Sequence, residues 1–359
     1  MAMMFNRRKF IVYSSAALGT SLFLKACTTG QSSSPDTDGE AASGDPESTP
    51  YRVAAVFSGV VTDGGWNQSA YEGLNAAKDR LGFEFSYVEQ IPVPDHAEAL
   101  SEFARQGFDL VLGHSGDFVG SAQQVAGQFP DTQFLVTNGN ISSPNISSVQ
   151  TNNLQAGYLA GTAAGLVTES NKIAFVVAKQ FKAMDQLLRG FELGAKAANP
   201  AAEVAASYTG DWDDVAKGKE ATAALISAGA DVVYSYLDSA YVGSLEAVKE
   251  KGVYLIGHTS DRLDTAPDHI ITSVVQNVGM AIASVVEIAQ NGNLEPKNYV
   301  VGAENSDVLH VGRFGEAIPS EVQQTVGDVE EQLQAGDLVF EDCQVDGAES
   351  WCIQDGAAA

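Results

Sequence analysis

Short apolar runs and amphipathic segments take turns along this chain, twice over, and few architectures accommodate that order. "VAAVF" (Val53 to Phe57), "FEFSYV" (Phe83 to Val88), "FDLVLG" (Phe108 to Gly113) and "QFLVT" (Gln133 to Thr137) are separated by stretches of helical period such as "AYEGLNAAKDRL" and "HAEALSEFARQG". The pattern resumes at "KIAFVVA" (Lys172 to Ala178) and continues through "EVAASYT", "DVVYSYL" and "VYLIGH", with helices expected around Leu187 to Ala198, Asp214 to Ala228 and Ser239 to Lys251. Apolar runs without polar alternation fit strands buried on both faces, as in a parallel sheet covered by helices. Two tandem sets of such units predict an α/β protein of two doubly wound, Rossmann-like lobes rather than one barrel, although strand count alone fits either.

Polar segments at "QTNNLQAGYLAG" near Thr151 and "HTSDR" near Ser260 break the alternation and mark the expected crossings between lobes. Residues 51–151 and 260–292 are then the first lobe, with "HIITSVV" and the helix after Gln276 returning to it. Residues 152–259 and 293–340 are the second lobe, and 341–359 a C-terminal tail.

Ahead of the folded part, "NRRKFIVYSSAALGTSLFLKAC" places Arg7 and Arg8 before an apolar run that leads to Cys27, the order of an export signal over residues 1–27. "LKAC" resembles a bacterial lipobox, with Cys27 as the lipidated residue, and "RRKFI" resembles a twin-arginine signal. Residues 28–50 have almost no apolar side chains to offset the entropy of ordering, so a flexible acidic tether is expected. Cys343 and Cys352, in "CQVDGAESWC", remain as a pair suited to a local disulfide, the alternative being two free thiols. With 20 Lys+Arg against 46 Asp+Glu and a net charge of −26, the chain is a poor partner for nucleic acid and for highly anionic ligands.

In open α/β folds, ligands bind beyond the carboxyl ends of strands. The post-strand segments here are "SGVVTDGGWN", "GHSGDF", "TNGN", "AKQFKAM", "TGDWDD", "LDSAY" and "GHTSDR". They supply Trp66, Trp212, Asn67, His114, Asp117, Asp238, Ser239 and Asp261, a mixture of aromatic faces, amides and carboxylates suited to a planar, neutral heterocycle. Trp66 and Trp212 hold equivalent places in the two halves, so they are candidates to sandwich one ring, or alternatively staples that pack helix on sheet. "GHSGD" around Ser115 fails the G-x-S-x-G pattern of a nucleophile elbow; a hydrolase would need His269 or His310 as its base. His114, His258 and Asp261 match no compact metal signature, and "SGVVTDGG" lacks a phosphate-cradling motif, so neither metal nor cofactor is expected.

Taken in order, "DGGWNQSAYEGL", "NISSVQTNNLQAGYLAG", "NKIAFVV", "RGFELGAKAANP", "DWDDVAKGKEATAALISAGADVVYSY", "EAVKEKGVYLIGHTSD" and "ITSVVQNV" resemble the basic membrane protein family of bacterial substrate-binding lipoproteins, over about Arg52 to Phe340. The resemblance implies two lobes of the type I binding-protein kind that close on a purine nucleoside or nucleobase. It further implies a membrane-tethered, extracytoplasmic monomer that serves an ABC permease and its ATPase. A sensory receptor subunit with the same pocket is the alternative. The family motif D-K-S-F-N places Asp63, Trp66 and Asn67 on the carboxylate, stacking ring and base-reading amide, and Trp212 on the second ring. Thr259 and Gln276 stand where family members carry a ribose-binding aspartate and a lysine. Asn67 and Asp117 are thus expected to read the ring edge, with Asp238, Ser239, Thr259, Asp261 and Gln276 around the remainder.

Overall fold

A computed structural model describes residues 13–14, 50–63, 65–345 and 347–354. The expected lipidation site Cys27 and nearly all of the expected signal and tether lie outside the described residues. Tyr13–Ser14 forms a two-residue antiparallel pairing with Ser86 and Tyr87 at the edge of the first sheet.

Strands β1 (Arg52–Phe57), β2 (Glu84–Val88), β3 (Leu110–His114), β4 (Gln133–Thr137) and β5 (Ile146–Thr151) build the first parallel sheet, with α1 (Trp66–Leu81), α2 (His96–Arg105) and α3 (Val119–Ala126) between them. Val53 through Phe57 and Leu110 through Leu112 are fully buried, so helices cover both faces of these strands and no polar alternation survives in them. Helix α1 stops at Gly82, whose φ of 74° only glycine adopts without strain, and Lys78 and Arg80 in its last turn oppose the negative end of the helix dipole.

The second lobe holds α4 (Asn153–Val167), β6 (Lys172–Val177), α5 (Lys182–Ala198), β7 (Glu203–Tyr208), α6 (Val215–Ser227), β8 (Val232–Tyr236), α7 (Tyr241–Lys251), β9 (Tyr254–His258) and β10 (Ile270–Gln276). Helix α8 (Val278–Gln290) packs against α1, and β11 (Asn298–Val301) extends the first sheet beyond β5. The chain then returns through β12 (Leu309–Val311), antiparallel to β10, and α9 (Ser320–Ala335). A hairpin of β13 (Phe340–Val345) and β14 (Ala348–Ile353) closes the description, joined by the Cys343–Cys352 disulfide and tied to α5 where Arg189 Nε donates to the Trp351 carbonyl at 3.0 Å.

Two sequence expectations are corrected here. "HIITSVV" does not return to the first lobe: β10 pairs in parallel with β9 inside the second sheet. Nor does the chain cross at "HTSDR", which merely links β9 to β10. All of β10 is buried, so it carries no periodicity that could have assigned it to one sheet or the other. The chain crosses at 151–153, near Thr151 as expected, and again at 276–278 and 302–308. At the first two the chain turns through an asparagine that caps the next helix, Asn152 accepting from the Gln155 N–H and Asn277 from the Met280 N–H. Backbone bonds from Asn152 to Val301 (2.9 Å) and from Asn277 to Val308 (2.8 Å) knit the crossings into one hinge.

Candidate functional site

The loop after β1 and the loop after β8 meet across the gap between the lobes. A β-carbon at Gly65 would stand 3.5 Å from Asp238 Oδ1, ordinary van der Waals contact between residues of different sheets. Both loops follow carboxyl ends of parallel strands, the position from which this class of sheet binds ligands.

On the first wall, Asp63 organises the entry to α1. Its carboxylate accepts from the backbone N–H of Gly65 (2.9 Å), Asn67 (3.0 Å) and Gln68 (3.0 Å) and from Asn67 Nδ2 (2.7 Å). Burial pushes this carboxyl up, but the four hydrogen bonds outweigh it and hold the pKa below its ordinary value. The ionised group therefore caps the positive end of α1 and fixes the Asn67 amide, whose Oδ1 meets no protein donor among the described residues.

Trp66, the first residue of α1, is half-buried, and one face of its indole stacks on His114 at 4.7 Å between centroids and 22° between planes. His114 is fully buried, and desolvation drives its pKa down to about 4, so it is neutral. Its Nε2 lies 3.2 Å from the Trp66 carbonyl, which can only accept, so Nε2 carries the proton and Nδ1 faces Thr137 Oγ1 at 2.9 Å. His114 thus supports Trp66 from below rather than facing a ligand. Asp117 is exposed on the rim, its N–H donating to Ser115 Oγ at 3.2 Å. His269 and His310 rest through Nδ1 on the carbonyls of Val253 and Ser306, and neither forms a hydrogen bond with Ser115 among the described residues.

Opposite, Trp212 is half-buried against both hydrophobic clusters of the second lobe, edge-on to Phe181 at 6.3 Å, and its carbonyl accepts from the Ala240 N–H at 3.1 Å. Asp213 Oδ1 accepts from the Ser239 N–H at 3.3 Å, which ties the Trp212 loop to the Asp238 loop. Asp238 reaches solvent yet is crowded by both lobes: desolvation, then Asp213 and Asp63, push its pKa up to about 7, with Arg262 opposing. Thr259 has a φ of 67°, an outlier for a β-branched residue, and the 2.7 Å contact of its Oγ1 with His258 Nδ1 helps hold it there.

Two candidates are placed elsewhere. Gln276 is 2% exposed and sits in the hinge, its Nε2 donating to Thr151 Oγ1 (3.0 Å) and Asn153 Oδ1 (3.2 Å). Asp261 accepts from Arg313 Nε at 2.6 Å and from the Leu263 N–H at 3.0 Å, a surface ion pair and a turn. Gln276 Nε2 and the Asp261 carboxylate are thus engaged within the protein, whereas the buried Gln276 Oε1 has no partner among the described residues. Arg262, between them in sequence, was not singled out by pattern, and it lies over the Tyr241 ring at 5.0 Å. A concavity of about 430 Å³ beside the hinge is lined by Asn152, Asn153, Gln155 and Phe340 among others. Its Asn152, Asn153 and Gln155 side chains are already hydrogen-bonded within the chain, whereas Asp238 in the interlobe gap is not.

The charge on Asp238 has a consequence for stability. The native state keeps this proton up to about pH 7, whereas the unfolded chain releases it near the ordinary 3.8, so stability falls as pH rises through that window and is level above it. Asp238→Asn is expected to remove the slope, unfolding at the same point as the wild type near pH 4 and later than it at pH 8. Discounted for screening by water, the difference is about 1–2 kcal/mol. Thermal melts across pH check this, and a wild-type/variant difference independent of pH rejects it.

Residues 51–331 match the protein family described as ABC transporter substrate-binding protein PnrA-like. The chain is 27% identical to the transcriptional activator protein Med of Bacillus subtilis over 77% of this chain and 86% of that one. It is 24% identical to a purine-binding protein of Brucella abortus over 80% and 82%. A solute-binding protein of an ABC transporter system from Aeropyrum pernix superposes with a TM-score of 0.70 at 19% identity, covering 83% of this chain and 95% of that one, which establishes the type I binding-protein fold. The match to the family spans well over half of the sequence, and the chain belongs to the Bmp family of PnrA-like substrate-binding proteins, the solute-binding components of ABC importers.

Proposed function

We propose that this protein binds a purine nucleoside or nucleobase between Trp66 and Trp212 and delivers it to an ABC permease and its ATPase. The observation that carries the reading is the meeting of the two tryptophan-bearing walls at Gly65 and Asp238, with each indole half-buried and backed by its own lobe. A flat heterocycle suits such a gap, since base–aromatic stacking contributes about 1–3 kcal/mol per base. Asn67 Oδ1, Asp117, Asp238, Ser239 and Thr259 surround it with polar groups for the ring edge and any sugar.

Proteins of this class work outside the cytoplasmic membrane. The proposal adds a lipid anchor at Cys27, twin-arginine export and a monomeric state; no described helix is long and apolar enough to cross a membrane. Ligand favours closure of the lobes only by the difference in its contacts with the closed and open arrangements. Calorimetric titration of the purified protein with adenosine, guanosine, inosine, their bases, monosaccharides and amino acids tests the reading. Saturable one-to-one binding of a purine is expected, and binding of a sugar or an amino acid with none of a purine rejects it.

A further inference from the structure

Arg262 is unlike the other arginines of the described chain. Arg52, Arg80, Arg105, Arg189 and Arg313 each form an ion pair, whereas Arg262 forms none, in a protein of net charge −26. Its backbone and stem are nevertheless fixed. The N–H donates to Ser273 Oγ at 2.9 Å, Nε donates to the His258 carbonyl at 3.4 Å, and the guanidinium carbon stands 5.0 Å from the Tyr241 ring centre. Its first side-chain carbons are pressed against Gly257, where a β-carbon would approach them to 3.0 Å. Nη1 and Nη2 are left with no acceptor among the described residues.

Asp238, on the neighbouring loop, feels this charge but forms no ion pair with it, and its carboxyl has no hydrogen-bond donor among the described residues. The second wall therefore presents an unused guanidinium fork and an unused carboxyl that are neighbours through Tyr241, whose ring lies beneath the guanidinium and whose N–H donates to the Asp238 carbonyl at 3.1 Å. A carboxylate or phosphate on the ligand would answer the arginine, but the carboxylates of Asp63 and Asp213, which already act on Asp238, repel an anion there. A neutral group with paired acceptors is the better complement.

Resting on the purine reading above, we propose that Arg262 and Asp238 jointly read the edge of the ring and select 6-oxopurines over 6-aminopurines. A guanidinium donates two parallel N–H bonds to the O6 and N7 acceptors of guanine or hypoxanthine. Adenine offers an amino donor at position 6 instead, so one of the two bonds is replaced by a donor facing a donor. The adjacent N1–H of a 6-oxopurine, with the 2-amino group in guanine, supplies the donors that Asp238 accepts. Arg262 is then a specificity residue, and the indoles, indifferent to the substituent at position 6, supply the stacking.

Calorimetry with guanosine, inosine and adenosine on wild type, Arg262→Met and Arg262→Lys tests this, with thermal unfolding of each variant as the control for folding. Wild type is expected to bind inosine and guanosine more tightly than adenosine by roughly 5- to 150-fold, the discrimination carried by one bidentate purine contact. Arg262→Met collapses that ratio toward one, and Arg262→Lys lowers it partly, because an ammonium keeps the charge without the fork. Equal wild-type affinity for inosine and adenosine, or a ratio unchanged in both variants, overturns the inference and leaves purine binding intact. Absence of binding by every purine overturns both.

Discussion

Gly161→Val is expected to prevent the second lobe from folding, and Gly161→Ala to destabilise it by about 2 kcal/mol. Helices α4 and α5 touch backbone to backbone. A β-carbon at Gly157 or Gly161 would fall inside 3.0 Å of the carbonyl oxygens of Leu187 or Phe191, and one at Gly190 or Gly194 inside 3.0 Å of those of Leu154 or Tyr158. Real β-carbons do not stand so close, so any side chain here must part the helices. Overpacking of this kind costs about 1–3 kcal/mol, and a methyl group recovers up to about 1 kcal/mol through helix propensity. Valine doubles the obstruction and brings no such gain.

The damage would not stay local. Helix α4 is buried almost throughout, packed against α5, α9 and β10, so a shift propagates into the core beneath the cleft. Its first residues are also the hinge: Asn152 caps it, and Asn153 accepts from Gln276. Weaker ligand binding in Gly161→Ala should therefore accompany its lower denaturation midpoint. Chemical unfolding checks the effect, and a midpoint unchanged within about 0.5 kcal/mol of wild type would mean that the helices separate freely.

This packing has a visible trace in the sequence, the four-residue spacing of Gly157, Gly161 and Gly165 in "AGYLAGTAAG". The strands themselves were legible because each central one is apolar on both faces: Gln133–Thr137 is as expected, and Lys172–Val177 and Tyr254–His258 differ by a residue. Sheet membership was less so. A wholly buried strand such as Ile270–Gln276 has no exposed face to say which sheet it joins, and the link from β9 carries only a 3-10 turn at Leu263–Thr265 and no α-helix. Within the site, loop positions were readable but the tasks of their side chains were not. A carboxylate after a strand serves equally as helix cap, ion-pair partner or ligand group, and Asp63, Asp261 and Asp238 show one of each local circumstance: capped α1, paired Arg313, and no partner. Arg262 carries no sequence signal for the same reason, since what sets it apart is the ion pair it lacks among the described residues.

Trp212→Ala is expected to weaken purine binding by about 1–3 kcal/mol, or roughly 5- to 150-fold, and Trp66→Ala by a similar amount. The two variants should differ in stability. Trp212 leans on both hydrophobic clusters of its lobe, so truncation leaves a void there as well as removing a stacking face. Trp66 covers His114, and its loss opens a neutral, buried imidazole to water, where its pKa is expected to rise from about 4 toward its ordinary 6.5. Phenylalanine at either place separates stacking from packing, because it keeps an aromatic face while giving up part of the indole's contact area. Trp66→Phe and Trp212→Phe should accordingly retain most of the affinity lost in the alanine variants. Should both alanine variants melt earlier and still bind purine as tightly as the wild type, the indoles would be staples between helix and sheet, and the ring would have to be held by the polar groups of the two walls alone.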